Sequence, residues 1–210
     1  MYQYQPFIED PQHRTELDRQ RFVVLRMPSA VTGIYEQVQE AVRHRVSALP
    51  VSYPARAHVT LCGFAAGAAL AAVQEVVGSW ARSMPSLLID LERVSTFPSP
   101  FQIVMVQVRT TPELFTALAS LRQRAGQRGL VLSTVVPAEQ WIFHMSVAYC
   151  SGLTAEAWHD VRQFVETLRA PSATCVVGEA EVVAFDEGRE YSGGVFSFDA
   201  ADATKSRSKA

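Results

Sequence analysis

Lysine is almost missing from this 210-residue chain: Lys205 and Lys209, both in the last six residues, are the only two. With 19 basic against 21 acidic residues the net charge is -2, so no bulk positive field favours duplex DNA or an anionic membrane surface. The remaining basic charge is arginine, whose planar guanidinium grips phosphate bidentately, and a small phosphorylated ligand stays within reach. Cysteine is also sparse. Cys62, Cys150 and Cys175 are odd in number and far apart, which argues against a disulfide framework and for a reducing, cytoplasmic setting. Long apolar runs are absent too: Leu61 to Val77 is interrupted by Gly63, Gly67, Gln74 and Glu75, too broken to span a membrane. Met1 to Glu16 has no apolar core, unlike a signal peptide. There is no glycine-rich phosphate loop and no Gly-x-Ser-x-Gly elbow.

Metal-ligand spacing is lacking as well. Cys62 lies four residues past His58, about 13 Å away along an extended strand, and Cys150 lies about 20 Å from His144. Ligands of one zinc ion sit only about 2 to 2.3 Å from it. His13, His44 and His159 have no close partners in sequence. No metal or other cofactor is expected.

What the chain does have is a repeated order of elements within a composition that is 48% hydrophobic and 19% charged, ordinary for a globular fold. The first half reads as a strand over Arg21 to Met27, a helix over Thr32 to Arg45 and a strand over Ala57 to Phe64. A helix over Ala65 to Ala81 and a strand over Ser86 to Ser95 complete it. Phe97-Pro98-Ser99-Pro100-Phe101 must turn, because two prolines break a ladder. The second half then reads Gln102 to Val108 as strand, Thr111 to about Arg124 as helix and Ile142 to Tyr149 as strand. A helix opening at Thr154 follows, then strands over Thr174 to Ala184 and Gly193 to Phe198. Thr111-Pro112-Glu113 is a strong helix opening: capping hydroxyl, first-turn proline, then an acid. Corresponding points, Val23 with Ile103, His58 with His144 and Leu87 with Cys175, are about 80 to 88 residues apart. The expected layout is an N-terminal lead-in over 1–20, a bilobal domain over 21–199 and a disordered tail over 200–210. The lobes meet near residue 100, with strand exchange between them allowed for.

The chemistry sits in two stretches of equal layout, His58-Val59-Thr60-Leu61 and His144-Met145-Ser146-Val147. In a strand, side chains alternate faces, so His58 and Thr60 point one way while Val59 and Leu61 point into a core. The same holds for His144 and Ser146 against Met145 and Val147. Facing each other across a groove, the imidazoles can take and give protons near neutral pH, and the hydroxyls can donate to phosphoryl oxygens. Phe64, on the same face if the alternation continues, can stack on a nucleobase or pack in the core. Trp141 leads into the second strand and can wall the groove. Tyr149 falls by alternation on the face away from His144, as packing.

The paired motifs resemble those of the 2H phosphoesterase superfamily, which includes 2′-5′ RNA ligase-like proteins and cyclic phosphodiesterases. The likeness extends over roughly Phe22 to Phe198 and includes the Phe97-Pro98 turn. It implies a bilobal α+β fold with pseudo-twofold lobes, antiparallel-rich sheets around a concave cleft and helices outside. It also implies a metal-independent hydrolase of 2′,3′-cyclic phosphates or related diesters, with His58, Thr60, His144 and Ser146 as catalytic residues. Alternatives are a 2′-5′ ligase-like activity and a nucleotide or RNA-end binding module with little catalysis. The expected partner is a small phosphorylated nucleotide or an RNA terminus, not duplex DNA or a membrane, and the expected state is a monomer.

Overall fold

The structure, a computed structural model, describes residues 15, 17–47, 49–133, 136–169, 172–187 and 189–199. Most of the expected lead-in and all of the expected tail over 200–210 lie outside the described residues. Eight strands and four helices are described: β1 Arg21–Arg26, α1 Ser29–Arg45, β2 His58–Phe64, α2 Leu70–Ala81, β3 Leu87–Phe97, β4 Ile103–Val108, α3 Pro112–Gln127, β5 His144–Tyr149, α4 Ala155–Thr167, β6 Thr174–Val177, β7 Glu179–Asp186 and β8 Arg189–Ser197. A single 3-10 turn, Ala138–Gln140, precedes β5.

Three of the four helices follow from a local signal. In α1 the buried residues Val31, Tyr35, Val38 and Val42 recur at helical spacing, and Arg43, His44 and Arg45 complement the negative end. Thr111 accepts from Leu114 N at 3.2 Å to open α3, and Thr154 accepts from Ala157 N at 3.2 Å to open α4. The helix expected from Ala65 begins only at Leu70. Gly67, at φ +97°, takes the left-handed turn that leads out of β2, and no helix can pass through that conformation.

The strands form two antiparallel four-stranded sheets, in the orders β2-β1-β7-β8 and β5-β4-β3-β6. Their outer faces and the helices enclose one large core that includes Val23, Leu25, Val59, Trp80, Leu118 and Trp158. This is the bilobal α+β architecture implied by the motifs. The lobes trade strands: β3, from the first half, lies beside β4, while β7, from the second half, lies beside β1.

Two strand readings change. The run Thr174 to Ala184 is two strands, not one: β6 pairs with β3 in one sheet and β7 with β1 in the other. The chain crosses between them at Gly178, whose carbonyl accepts from Phe198 N at 2.7 Å. A continuous apolar alternation cannot reveal a change of partner. Consequently the strands holding Leu87 and Cys175 are neighbours, with Ile89 opposite Cys175, and the counterpart of β3 by sheet position is β7.

Candidate active site

The motif strands β2 and β5 are edge strands, one from each sheet, and they pack beside each other. Gln39 of α1 donates to Val147 O at 3.1 Å, and Ser52 N donates to Tyr149 O at 3.1 Å, tying the seam. Val59, Leu61, Met145 and Val147 have no exposure, whereas His58, Thr60, His144 and Ser146 are half-buried. Each buried anchor contributes about 1.5–3 kcal/mol, so hydrophobic burial on one face fixes which groups the other presents.

Both strands break their register immediately after the hydroxyl residue. Val24 pairs with Thr60 but Val23 with Cys62, so Leu61 is an extra residue; Met105 pairs with Ser146 but Val104 with Ala148, so Val147 is another. A bulge adds one residue and reverses the alternation beyond it. Phe64 is therefore opposite Arg21, fully buried in the main core, and is not available to a base. Tyr149 is turned the other way. Instead of facing away from His144, it packs against the smaller inner cluster of Val24, Val183 and Phe185, and its hydroxyl shares a hydrogen bond with Ser146. Its equivalent in β2 is Gly63, where an added Cβ would meet Phe22 and Ser133 Oγ.

The two imidazoles are held alike. His58 Nδ1 lies 3.0 Å from Arg56 O, and His144 Nδ1 lies 2.8 Å from Ile142 O, in each case the carbonyl two residues earlier. A carbonyl only accepts, so these contacts place the ring proton on Nδ1 and leave Nε2 with its lone pair. Burial lowers the pKa of both rings below the usual histidine value. For His58, nearby Arg26 lowers it further, Glu190 opposes that, and a charge on His144 would lower it again. The last effect is the electrical signature of two rings sharing one neighbourhood.

Their surroundings otherwise differ. Behind His58, Arg26 Nε meets Glu181 at 2.5 Å, its Nη2 is paired with Glu190, and its Nη1 lies 3.4 Å from His58 Nδ1. These three charged side chains are 10%, 5% and 7% exposed. Arg56 adds a longer pair to Glu181 at 3.6 Å. Burial pushes the Glu181 carboxyl up, but hydrogen bonds from Ser192 and Arg26 and the charges of Arg26 and Arg56 outweigh it and leave it below the usual carboxylate range. None of these residues stood out in the sequence, because ionic partners from β1, β7 and β8 have no common spacing.

His144 instead packs against an aromatic ring: the centre of the Phe97 ring is 4.8 Å from that of the imidazole, with the planes at 83°. Beside it opens a cleft of about 260 Å³ lined by Phe97, Phe101, Ile103, Trp141, Ile142 and His144, among others. Trp141 has the Arg122 guanidinium stacked 4.9 Å from its ring centre, and its Nε1 is buried with no hydrogen-bond partner. Phe101, 65% exposed, is legible in the sequence only as the flank of a turn. Phe143 is fully buried and packs in the core.

Cys62, Cys150 and Cys175 are free and buried, and burial pushes the first two thiols up to about 12. Among the described residues no group of three or more His, Cys, Asp or Glu could hold a metal ion, and no helix is long and apolar enough to cross a membrane.

A family model described as the 2′-5′ RNA ligase superfamily matches residues 31–189. Solved structures share the fold. TT0787 of Thermus thermophilus is 15% identical with a TM-score of 0.62, covering 87% of this chain and 99% of its own. E. coli LigT complexed with 3′-AMP is 17% identical with a TM-score of 0.59, covering 86% and 98%. A structure described as a phosphoesterase is 16% identical with a TM-score of 0.56, covering 86% and 98%. No curated protein sequence matches closely enough to count as a relative.

Proposed function

The chain belongs to the 2′-5′ RNA ligase superfamily, and on that premise we propose that it is a phosphoesterase that opens nucleoside 2′,3′-cyclic phosphates by side-chain chemistry alone. His58 and His144 transfer the protons, and Thr60 and Ser146 donate to the non-bridging oxygens. One observation carries this reading: two half-buried imidazoles on adjacent edge strands, each anchored through Nδ1 to the carbonyl two residues before it. That arrangement leaves one basic nitrogen per ring. It suits a displacement in which one Nε2 takes a proton from attacking water and the other gives one to the departing ribose oxygen.

Each proton transfer supplies about 10²- to 10⁴-fold in rate. Hydroxyl donors at the developing oxyanion supply about 10²- to 10³-fold. The aromatic cleft beside His144 supports a ligand that carries a base, with Phe101 and Trp141 as its walls. The 3′-AMP held by E. coli LigT is also what remains when a 2′,3′-cyclic adenosine phosphate opens at its 2′ oxygen.

The test is a product assay in excess chelator over nucleoside 2′,3′-cyclic phosphates and 2′-5′-linked oligonucleotides. The expected result is conversion of the cyclic phosphate to a nucleoside monophosphate, with His58→Ala and His144→Ala each slower by about 10²-fold or more. Strict dependence on added metal, or full turnover in either variant, overturns the proposal. Tight binding without any product identifies a binding module, and a joined product from two RNA ends identifies a ligase.

A further inference from the structure

The two lobes repeat each other closely at the motifs and differ sharply one layer behind them. The charged and titratable groups that act on the His58 ring are Arg26 from β1, Glu190 from β8 and His144 from the opposite motif strand; Arg56 from the preceding loop contributes its backbone carbonyl, and Glu181 from β7 pairs with the Arg26 and Arg56 side chains. The matching position opposite His144 is the neutral Gln107 of β4. Gln107 accepts from Arg93 Nε at 3.0 Å and donates to Glu92 Oε2 at 3.3 Å, both on β3 and in an exposed network. The His144 ring itself meets the Ile142 carbonyl and the Phe97 ring.

Arg26 has each of its three nitrogens in a distinct place. Nε faces Glu181, Nη2 faces Glu190, and only Nη1 is turned toward the imidazole, 3.4 Å from Nδ1. The carboxylates hold the guanidinium from the far side, so its near end presents positive charge to a ring whose Nδ1 proton already points at Arg56 O. A guanidinium facing a ring N–H gains no hydrogen bond there, and its charge disfavours a second proton on that ring. Because Arg26 is 10% exposed and both carboxylates are engaged with it, it is poorly placed to reach a substrate phosphate itself. Its influence runs through His58.

Resting on the function proposed above, we infer that Arg26 is a positioning residue that breaks the symmetry of the two histidines and assigns their roles. It keeps His58 unprotonated, so His58 Nε2 takes the proton from the attacking water as the new phosphorus–oxygen bond forms. His144 Nε2 then delivers its proton to the ribose oxygen as the old phosphorus–oxygen bond breaks. One water is consumed, one monoester is released, and proton exchange with solvent resets both rings. Glu190 sets the strength of the effect, since its charge opposes that of Arg26 at the same ring.

The experiment is a nitrogen NMR titration of both imidazoles in the full chain, for the wild type, Glu190→Gln, Arg26→Gln and Arg26→Lys. It runs beside the pH dependence of kcat/KM on a nucleoside 2′,3′-cyclic phosphate. In the wild type both rings show the Nδ1–H tautomer, and His58 gains its second proton at a lower pH than His144. Glu190→Gln moves the His58 midpoint down by about one pH unit and Arg26→Gln moves it up by about one. Arg26→Lys leaves it near the wild-type value, and His144 stays in place throughout. The acid limb of kcat/KM follows His58.

General damage to the fold would move both rings together. Opposite shifts from two neighbouring substitutions require the proposed electrostatics. Should Arg26→Gln fail to fold, Glu190→Gln decides, because Arg26 there keeps its pair with Glu181. The inference is overturned if His58 protonates at or above the pH of His144 in the wild type, or if Glu190→Gln fails to lower it. An acid limb that follows His144 overturns it equally. If no cyclic phosphate is turned over, the proposed function fails alone, and the ring titrations still decide what Arg26 does.

Discussion

Phe101→Ala separates binding of the base from chemistry. The side chain is 65% exposed and follows a proline-rich turn, so its removal leaves no cavity and shifts folding stability by no more than about 0.5 kcal/mol. In the cleft beside His144 it forms one wall, with Phe97, Ile103 and Trp141 among the others. Stacking of a base on an aromatic side chain is worth about 1–3 kcal/mol, and half of the upper figure, about 1.5 kcal/mol, corresponds to roughly tenfold in KM. The residues proposed to handle the phosphate lie on β2 and β5, and both imidazoles keep their backbone anchors when the Phe101 ring is removed, so kcat should hold within about twofold. The assay is steady-state kinetics on an adenosine 2′,3′-cyclic phosphate beside a base-free ribose 2′,3′-cyclic phosphate. A rise in KM confined to the substrate carrying the base is the expected outcome. A fall in kcat at constant KM, or equal losses on both substrates, would refute the assignment of this cleft to the base.

Ser146→Ala should lower kcat by about 10²-fold, while Ser146→Thr, which keeps the hydroxyl, should retain most of it; equal losses in both would remove Ser146 from the chemistry. Tyr149→Phe, which deletes the partner of that hydroxyl, should lower kcat by about tenfold, as expected for one hydrogen bond, with folding stability measured in parallel by urea denaturation. Gly63→Ala forces a Cβ to within 2.8 Å of the Phe22 ring and into Ser133 Oγ, so it should destabilise by about 1–3 kcal/mol; an unchanged urea midpoint would show that the inner face of β2 is looser than described. Both motif histidines have lowered pKa values in the folded state, so the unfolded chain binds more protons than the folded one below about pH 6.5. Stability should therefore be fully present above that pH and fall as the pH drops toward the folded values, by about 1.4 kcal/mol per pH unit for each histidine. His58→Gln and His144→Gln should each flatten the slope between about pH 7 and pH 5.

Much of this site could be read from the chain because it obeys alternation. Four residues of β2, His58 to Leu61, and four of β5, His144 to Val147, sort to their faces as a simple strand requires. Caps such as Thr111 and Thr154 are equally local, and so were legible. What escaped depends on partners distant in sequence. A bulge is a property of a ladder, not of a strand, so the reversal that buries Phe64 and turns Tyr149 inward becomes visible only when β1 and β4 are in place. The switch of sheets at Gly178 is hidden for the same reason. Arg26, Glu181 and Glu190 come together from three strands, 155 and 164 residues apart for the two pairs, and each alone resembles a solvated charge.

A crystal structure of the protein with a nucleoside 3′-monophosphate decides whether one phosphate lies between the two motifs. The expected complex has phosphate oxygens within hydrogen-bond distance of His58 Nε2 and His144 Nε2, with the Thr60 and Ser146 hydroxyls on the non-bridging oxygens and the base against Phe101 and Trp141. A phosphate bound to only one of the two histidines, or seated away from both, would contradict it.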